Sequence, residues 1–223
     1  MRGDPPRRLI ALPIRFEPES PAMLILRSSP ASPFGRKVKL TLAELSLSDR
    51  VEVAATDTTN PADSLRTQNP LGKIPTLVLE DGTTLFDSRV IVEYLDHLAG
   101  GGRIIPAGAE RFAQLRLQAL ADGICDAALL QVYEIRFRPA EIRHAGWVEN
   151  QQGKIDRALA ALEAEPPAFA DRPRIGEIAL ACALGYLDLR HEGKWRAAHP
   201  RLVAWLDAFS EKVPAFEATR VKS

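Results

Sequence analysis

Three serines sit between two apolar segments in the stretch Ser28–Val38, "SSPASPFGRKV", and the last of them, Ser32, directly precedes Pro33 and Phe34. Ser-Pro is what a helix start prefers, a hydroxyl at the N-cap and a proline at the first helical position. The same geometry can do chemistry. A helix N-terminus carries unpaired N–H groups and partial positive charge, so it stabilises an anion placed there. A ligand thiol held at that point would ionise more readily, because the thiolate is the form that gains. One hydroxyl donated to the sulfur would add a charge-assisted hydrogen bond. A bond of that kind and a helix end can supply the about 1.4 kcal/mol that each pH unit of thiol acidification requires. Ser28 and Ser29, at the end of the preceding strand, read as turn residues and stand as second candidates for the thiol contact.

Other reactive side chains form no comparable pattern. Cys125 and Cys182 are far apart in apolar, helix-like surroundings and read as buried structural thiols of a reducing compartment rather than a disulfide. His97, His144, His191 and His199 are scattered without metal-ligand spacing, so no metal is expected. Lys73 reads as a solvated loop charge or as a partner for a ligand carboxylate. Arg36 and Lys37 oppose the dipole of the helix they begin; an anionic ligand and an interface both fit them. Tyr133, Phe137, Trp195 and Trp205 read as core or groove-lining residues.

The elements that must position these residues divide the chain in two. "MLILRS" from Met23 reads as a buried strand, "PFGRKVKLTLAELSL" as a helix whose apolar Val38, Leu40, Leu42, Leu45 and Leu47 are compatible with one face, and "VEVAAT" (Val51–Thr56) as a second strand, parallel to the first. Ile74–Asp87 holds two apolar runs around Asp81-Gly82, a hairpin signal. "SRVIVEYLDHLAG" follows as a helix that Asp87 or Ser88 could cap, stopped by Gly100–Gly102. Beyond Pro106 only helical spacing remains, over Glu110–Phe137, Ala140–Glu165, Ile175–Gly193 and Arg201–Val213, each bounded by prolines. The expected architecture is α/β plus all-α, with residues 23–101 as one domain and 108–223 as a helical one. Residues 1–22, rich in Pro and Arg without a period, read as a disordered extension, and Met23 could be the natural start.

Lys+Arg and Asp+Glu balance at 29 each with no basic run, which argues against a nucleic-acid or anionic-membrane partner. No apolar run approaches the roughly 20 residues that span a bilayer.

"NPLGKIPTLVLEDGTTLFDSRVIVEYL" (Asn69–Leu95) resembles the thioredoxin-like half of cytosolic glutathione transferases. Ile74-Pro75 opening a strand, Asp87-Ser88 opening a helix and the following "IVEYL" carry the likeness. The late "IGEIALACALGYLDLRHEGKW" and the His-Pro, Trp and Pro-x-Phe punctuation extend it over nearly all of the chain from Met23. The resemblance implies a cis bond before Pro75, with the Ile74 backbone turned out to pair with a glutathione tripeptide. It also implies that Asp87 and Ser88 receive the γ-glutamyl group, that Lys73 faces the glycine carboxylate, and that Phe34 belongs to the glutathione site. "SPFGRKV" is similar to the serine-type turn of the tau class, which makes Ser32 catalytic. It is also similar to the glutaredoxin Cys-Pro-Tyr-Cys turn with Ser32 and Gly35 in place of the thiols. Disulfide exchange needs a thiolate nucleophile, so omega-like deglutathionylation is disfavoured. One departure stands out. Arg174 and Glu177 replace the family's Ser/Thr cap and Asp before "IAL", which should weaken that helix start by about 1 kcal/mol.

The expected protein is therefore a cytoplasmic, homodimeric detoxification enzyme that uses glutathione as co-substrate and activates its thiol against a small hydrophobic electrophile. A non-catalytic glutathione-binding or interaction protein of the same fold, and a glutathione-dependent peroxidase, are the alternatives. Fold alone does not choose among them.

Overall fold

In a computed structural model, which describes residues 23–169 and 171–221, strand β1 (Leu24–Ser28) buries Leu24, Leu26 and Ser28 and leaves Ile25 and Arg27 half-covered. That alternation is what a strand with one face on a core requires. The extension expected over residues 1–22 lies outside the described residues. Helix α1 (Pro33–Glu44) packs Val38, Leu40 and Leu42 inward and returns the chain to β2 (Val51–Ala55). β2 runs parallel to β1 with Leu24 opposite Val51. After the short α2 (Leu65–Gln68), β3 (Thr76–Val78) and β4 (Thr84–Leu85) form the hairpin around Asp81-Gly82, and β3 runs antiparallel to β1. The sheet order is β2-β1-β3-β4. α3 (Ser88–Leu98) follows, capped by Asp87, whose carboxylate accepts from the Arg89 N–H at 2.9 Å.

The remainder is helical: α4 (Gly108–Phe137), α5 (Ala145–Ala164), α6 (Ile175–Arg190), α7 (Pro200–Lys212) and α8 (Ala215–Ala218). α6 is buried almost all round from Ile175 to Leu187, as a helix at the centre of a layer must be. It packs on α4 and α1, so it joins the helical part to the sheet part. The segment after α3 is fixed by the buried Asp96 carboxylate, which accepts from the N–H groups of Gly102, Arg103 and Ile104 at 2.6–2.9 Å. No helix among the described residues is long and apolar enough to cross a membrane.

Three local expectations need correction. The helix expected from Ala140 starts at Ala145: a 3-10 turn precedes it, and the His144 ring caps it by accepting from the Trp147 N–H at 3.0 Å. The helix expected to reach Gly193 ends at Arg190, because Glu192 and Gly193 adopt left-handed φ values of 57° and 62°. The start of α6 is better supported than its sequence suggested. The Glu177 carboxylate accepts from the Arg174 N–H, and the guanidinium, which has no acceptor, instead donates to the Gly102 and Arg103 carbonyls at 3.2 and 2.9 Å.

Candidate functional site

The turn between β1 and α1 is held by its own side chains. Ser32 is the N-cap of α1 in extended conformation, Pro33 follows at the first helical position, and the Gly35 N–H donates to Ser32 Oγ at 3.0 Å. A hydroxyl has two acceptor lone pairs and one proton. Capping therefore uses one lone pair and leaves the O–H free to donate. Ser28 lies beneath the turn, 1% exposed, with its Oγ where a Cβ at position 35 would come within 2.1 Å. Position 35 therefore needs glycine, and Ser28 is removed from the candidates. Ser29 still faces the cavity.

The loop before β3 is shaped by Asn69, a residue whose role the sequence did not disclose. Its buried amide donates to the Lys73 carbonyl at 2.9 Å and to Thr76 Oγ1 at 3.2 Å, while its carbonyl accepts from the Leu71 N–H at 3.0 Å. Gly72 makes the bend with φ of 60°, which glycine reaches without steric cost. Arg27 braces the preceding segment through Thr56, Asp63 and Gln68. The bond between Ile74 and Pro75 is cis, and the Ile74 N–H and C=O take no partner among the described residues.

These elements converge on one cleft of about 770 Å³. Ser32, Phe34, Lys73, Ile74, Pro75, Asp87 and Ser88 all line it. Ser88 is buried at the start of α3, whereas Asp87 and Lys73 are exposed to the cavity. The opposite wall comes from α4 and α6, with Leu129, Leu130, Tyr133 and Tyr186 among its residues.

The sequence reading missed the charges beneath this wall. Asp122 is buried and accepts from Lys37 Nζ at 2.7 and 2.9 Å and from Arg89 Nε at 3.0 Å. Lys37 is therefore an internal partner of α4 and does not serve a ligand. Arg36 likewise turns inward, donating to the Phe216 carbonyl at 2.5 Å and lying 4.0 Å over the Phe216 ring. An anionic ligand and an interface were the two functions expected for these cations; both side chains are instead engaged in contacts inside the chain. Asp126, one turn after Asp122, has its carboxyl pushed above the usual range by burial and then by the Asp122 charge. The spacing of Asp122 and Asp126, four apart in an apolar run, was the available signal.

The remaining candidates separate cleanly. Burial pushes the Cys182 thiol up to about 12 and the Cys125 thiol well above its ordinary value, so neither serves as a nucleophile. Tyr133 lines the cleft, but Phe137 is 58% exposed outside it and belongs to neither core nor groove. Trp195 and Trp205 are core, donating their indole N–H groups to Asp188 and to the Pro167 carbonyl. No group of three or more His, Cys, Asp or Glu that could hold a metal occurs among the described residues.

Comparison with known proteins agrees with this arrangement. The family model for the glutathione S-transferase N-terminal domain matches residues 31–98, and that for the C-terminal domain matches residues 145–208. The uncharacterised GST-like protein YibF of Escherichia coli is 35% identical over 183 residues, 80% of this chain and 89% of its own. A glutathione transferase family member from Pseudomonas fluorescens Pf-5, crystallised with bound glutathione, is 44% identical. It superposes with a TM-score of 0.82 over 90% of this chain and all of that one. A glutathione S-transferase from Methylobacillus flagellatus with bound glutathione is 35% identical, with a TM-score of 0.82 over 89% of this chain and 100% of that chain. With both domain models matched in order along one chain, the protein belongs to the cytosolic glutathione transferase superfamily.

Proposed function

We propose that the protein is a glutathione transferase in which Ser32 stabilises the glutathione thiolate for attack on a hydrophobic electrophile. The observation that carries this reading is the free proton of Ser32: its oxygen caps α1, and its O–H remains to donate into the cleft. The thiolate sulfur gives an electron pair to the electrophilic carbon, the leaving group departs with its bonding pair, and the thiol proton passes to solvent. Stabilisation of the thiolate and proximity do the work, without a protein nucleophile.

The tripeptide fits the residues present. The unpaired Ile74 backbone suits an extended peptide, the Lys73 ammonium suits its glycine carboxylate, and the start of α3 at Ser88 suits the γ-glutamyl carboxylate. Asp87, with Asp126 nearby, suits the ammonium. Residues 23–101 would then carry glutathione and residues 108–223 the apolar wall for the electrophile. Bound glutathione in the similar Pseudomonas and Methylobacillus proteins supports glutathione as the ligand. The buried, unreactive thiols weigh against deglutathionylation. Retention on immobilised glutathione together with steady-state thiol conjugation tests the reading. Retention without turnover would instead leave a binding protein.

Asp87→Ala is expected to weaken glutathione affinity by about 1.5–3 kcal/mol, the worth of a hydrogen bond to a charged group. Because Asp87 also caps α3, the same change costs about 1 kcal/mol of stability. Asp87→Ser keeps the cap and loses the charge, so calorimetry on both variants separates the roles. Unchanged affinity in both removes Asp87 from the site.

The cytoplasm and a homodimer complete the proposal. Unpaired Cys125 and Cys182 suit a reducing compartment, and zero net charge does not oppose association. Sedimentation at micromolar concentration is expected to show twice the 24.5 kDa chain mass, and a 24.5 kDa species alone defeats the dimer.

A further inference from the structure

The α4 wall of the cleft is polarised along its length, while Lys73 and Arg89 add cations to the carboxylates at the α3 end. On α4 the lining residues Asp122, Asp126, Leu129, Tyr133 and Arg136 are spaced three or four apart, so they share one face of the helix. Carboxylates stand at the end beside α3, apolar groups in the middle and a guanidinium at the far end. α6 repeats that ending, with Tyr186 and Arg190 one turn apart facing the same cavity. Arg136, Tyr186 and Arg190 line the same cavity, and both guanidiniums act electrostatically on the Tyr186 phenol. Burial pushes that phenol up to about 12, so it stays a neutral donor.

Among the described residues neither Arg136 nor Arg190 has an ion pair or a side-chain hydrogen bond. The acids closest to them in sequence are committed elsewhere: Glu134 to Arg138 and the His144 N–H, Asp188 to Arg196 and Trp195, and Glu192 to Lys194. The carboxylates lining the cleft are Asp87, Asp122 and Asp126, all toward the opposite end. Two unpaired guanidiniums beyond an apolar stretch form a receptor for a planar anion. Seven residues separate Leu129 from Arg136, about 10 Å of helix at about 1.5 Å per residue.

We propose that the electrophile carries a carboxylate remote from the carbon that the thiolate attacks, and that Arg136 and Arg190 bind it together. The inference rests on the glutathione site described above. It narrows the substrate class from hydrophobic electrophiles to amphiphilic acids with an apolar spacer.

The test uses conjugates rather than turnover. S-(ω-carboxyalkyl)glutathiones with short, medium and long spacers are titrated by calorimetry beside their terminal amides and glutathione itself. Wild type, Arg136→Gln, Arg190→Gln and the double variant are compared. At the best spacer the acid is expected to bind wild type about tenfold more tightly than its amide, as a charge-assisted contact provides. Each single variant should lose about threefold of that preference and the double variant all of it, with glutathione and the amides unaffected. Added salt should shrink the preference. Equal binding of acid and amide at every spacer overturns the inference and leaves the glutathione site standing. A preference that survives in the double variant overturns the assignment to these arginines. Failure of glutathione and all its conjugates to bind overturns the glutathione site and this inference with it.

Discussion

Ser32→Ala is expected to lower conjugation turnover about 10- to 100-fold, the value of one hydrogen bond to a charged group, and stability by about 1 kcal/mol. The two losses have separate origins on the same oxygen atom. The lone pair that accepts the Gly35 N–H at 3.0 Å holds α1, and the proton meets the sulfur. Ser32→Asn supplies a capping acceptor but displaces the donor, so it should recover most of the stability and little of the activity. Ser32→Cys places a thiol at a helix N-terminus, where its pKa falls. Its thiolate would attack oxidised glutathione, forming a mixed disulfide and releasing one glutathione thiolate. Two readings per variant decide the matter: the melting midpoint, and the ultraviolet absorbance of the bound thiolate against pH. In the Ala variant the thiolate should appear about 1–2 pH units higher than in wild type. If it titrates at the same pH in both, Ser32 is only a cap. Ser29 then takes its place, since Ser28 is sealed beneath Gly35.

Much of this was legible in the sequence because it is local. The alternation of β1, the Ser-Pro start of α1, the Asp81-Gly82 hairpin and the acidic cap of α3 are each decided within a few residues, and each stands where its pattern put it. What was not legible depends on partners far along the chain. Lys37 and Arg36 open α1 against its dipole, and nothing within that helix explains them. Their reasons are Asp122, 85 residues later, and Phe216, 180 residues later. Asn69 carried no signal of its own in the sequence, yet its amide holds the Lys73 carbonyl and Thr76 Oγ1. Arg174 read as a defective cap because the carbonyls it reaches, Gly102 and Arg103, lie 72 and 71 residues earlier. Long cationic side chains can reach partners in several directions, so their sequence neighbours do not specify the choice.

The second large effect is expected at Asp122. Its carboxylate is 3% exposed and the Lys37 side chain 1%, with N–O distances of 2.7 and 2.9 Å. Asp122→Ala leaves the Lys37 ammonium buried without a counter-charge, which should cost about 3–5 kcal/mol in urea unfolding. Lys37→Met leaves Asp122 the Arg89 contact at 3.0 Å, and Arg89 is half exposed, so the loss there should be smaller. The double variant Lys37→Met with Asp122→Leu removes both buried charges and fills the space with apolar groups. It should recover most of the loss, because exchanging a buried pair for hydrophobic side chains is often close to neutral. The cycle therefore predicts strong coupling rather than additivity. Additive losses below about 1 kcal/mol each would mean that water reaches the pair in solution. The pair also fixes geometry, since Lys37 lies on the helix that Ser32 begins and Asp122 on the helix that forms the opposite wall of the cleft. A stable double variant should consequently keep its glutathione affinity through Ile74 and Ser88. Its KM for the electrophile should rise, because the thiolate and the apolar wall would no longer be held in register.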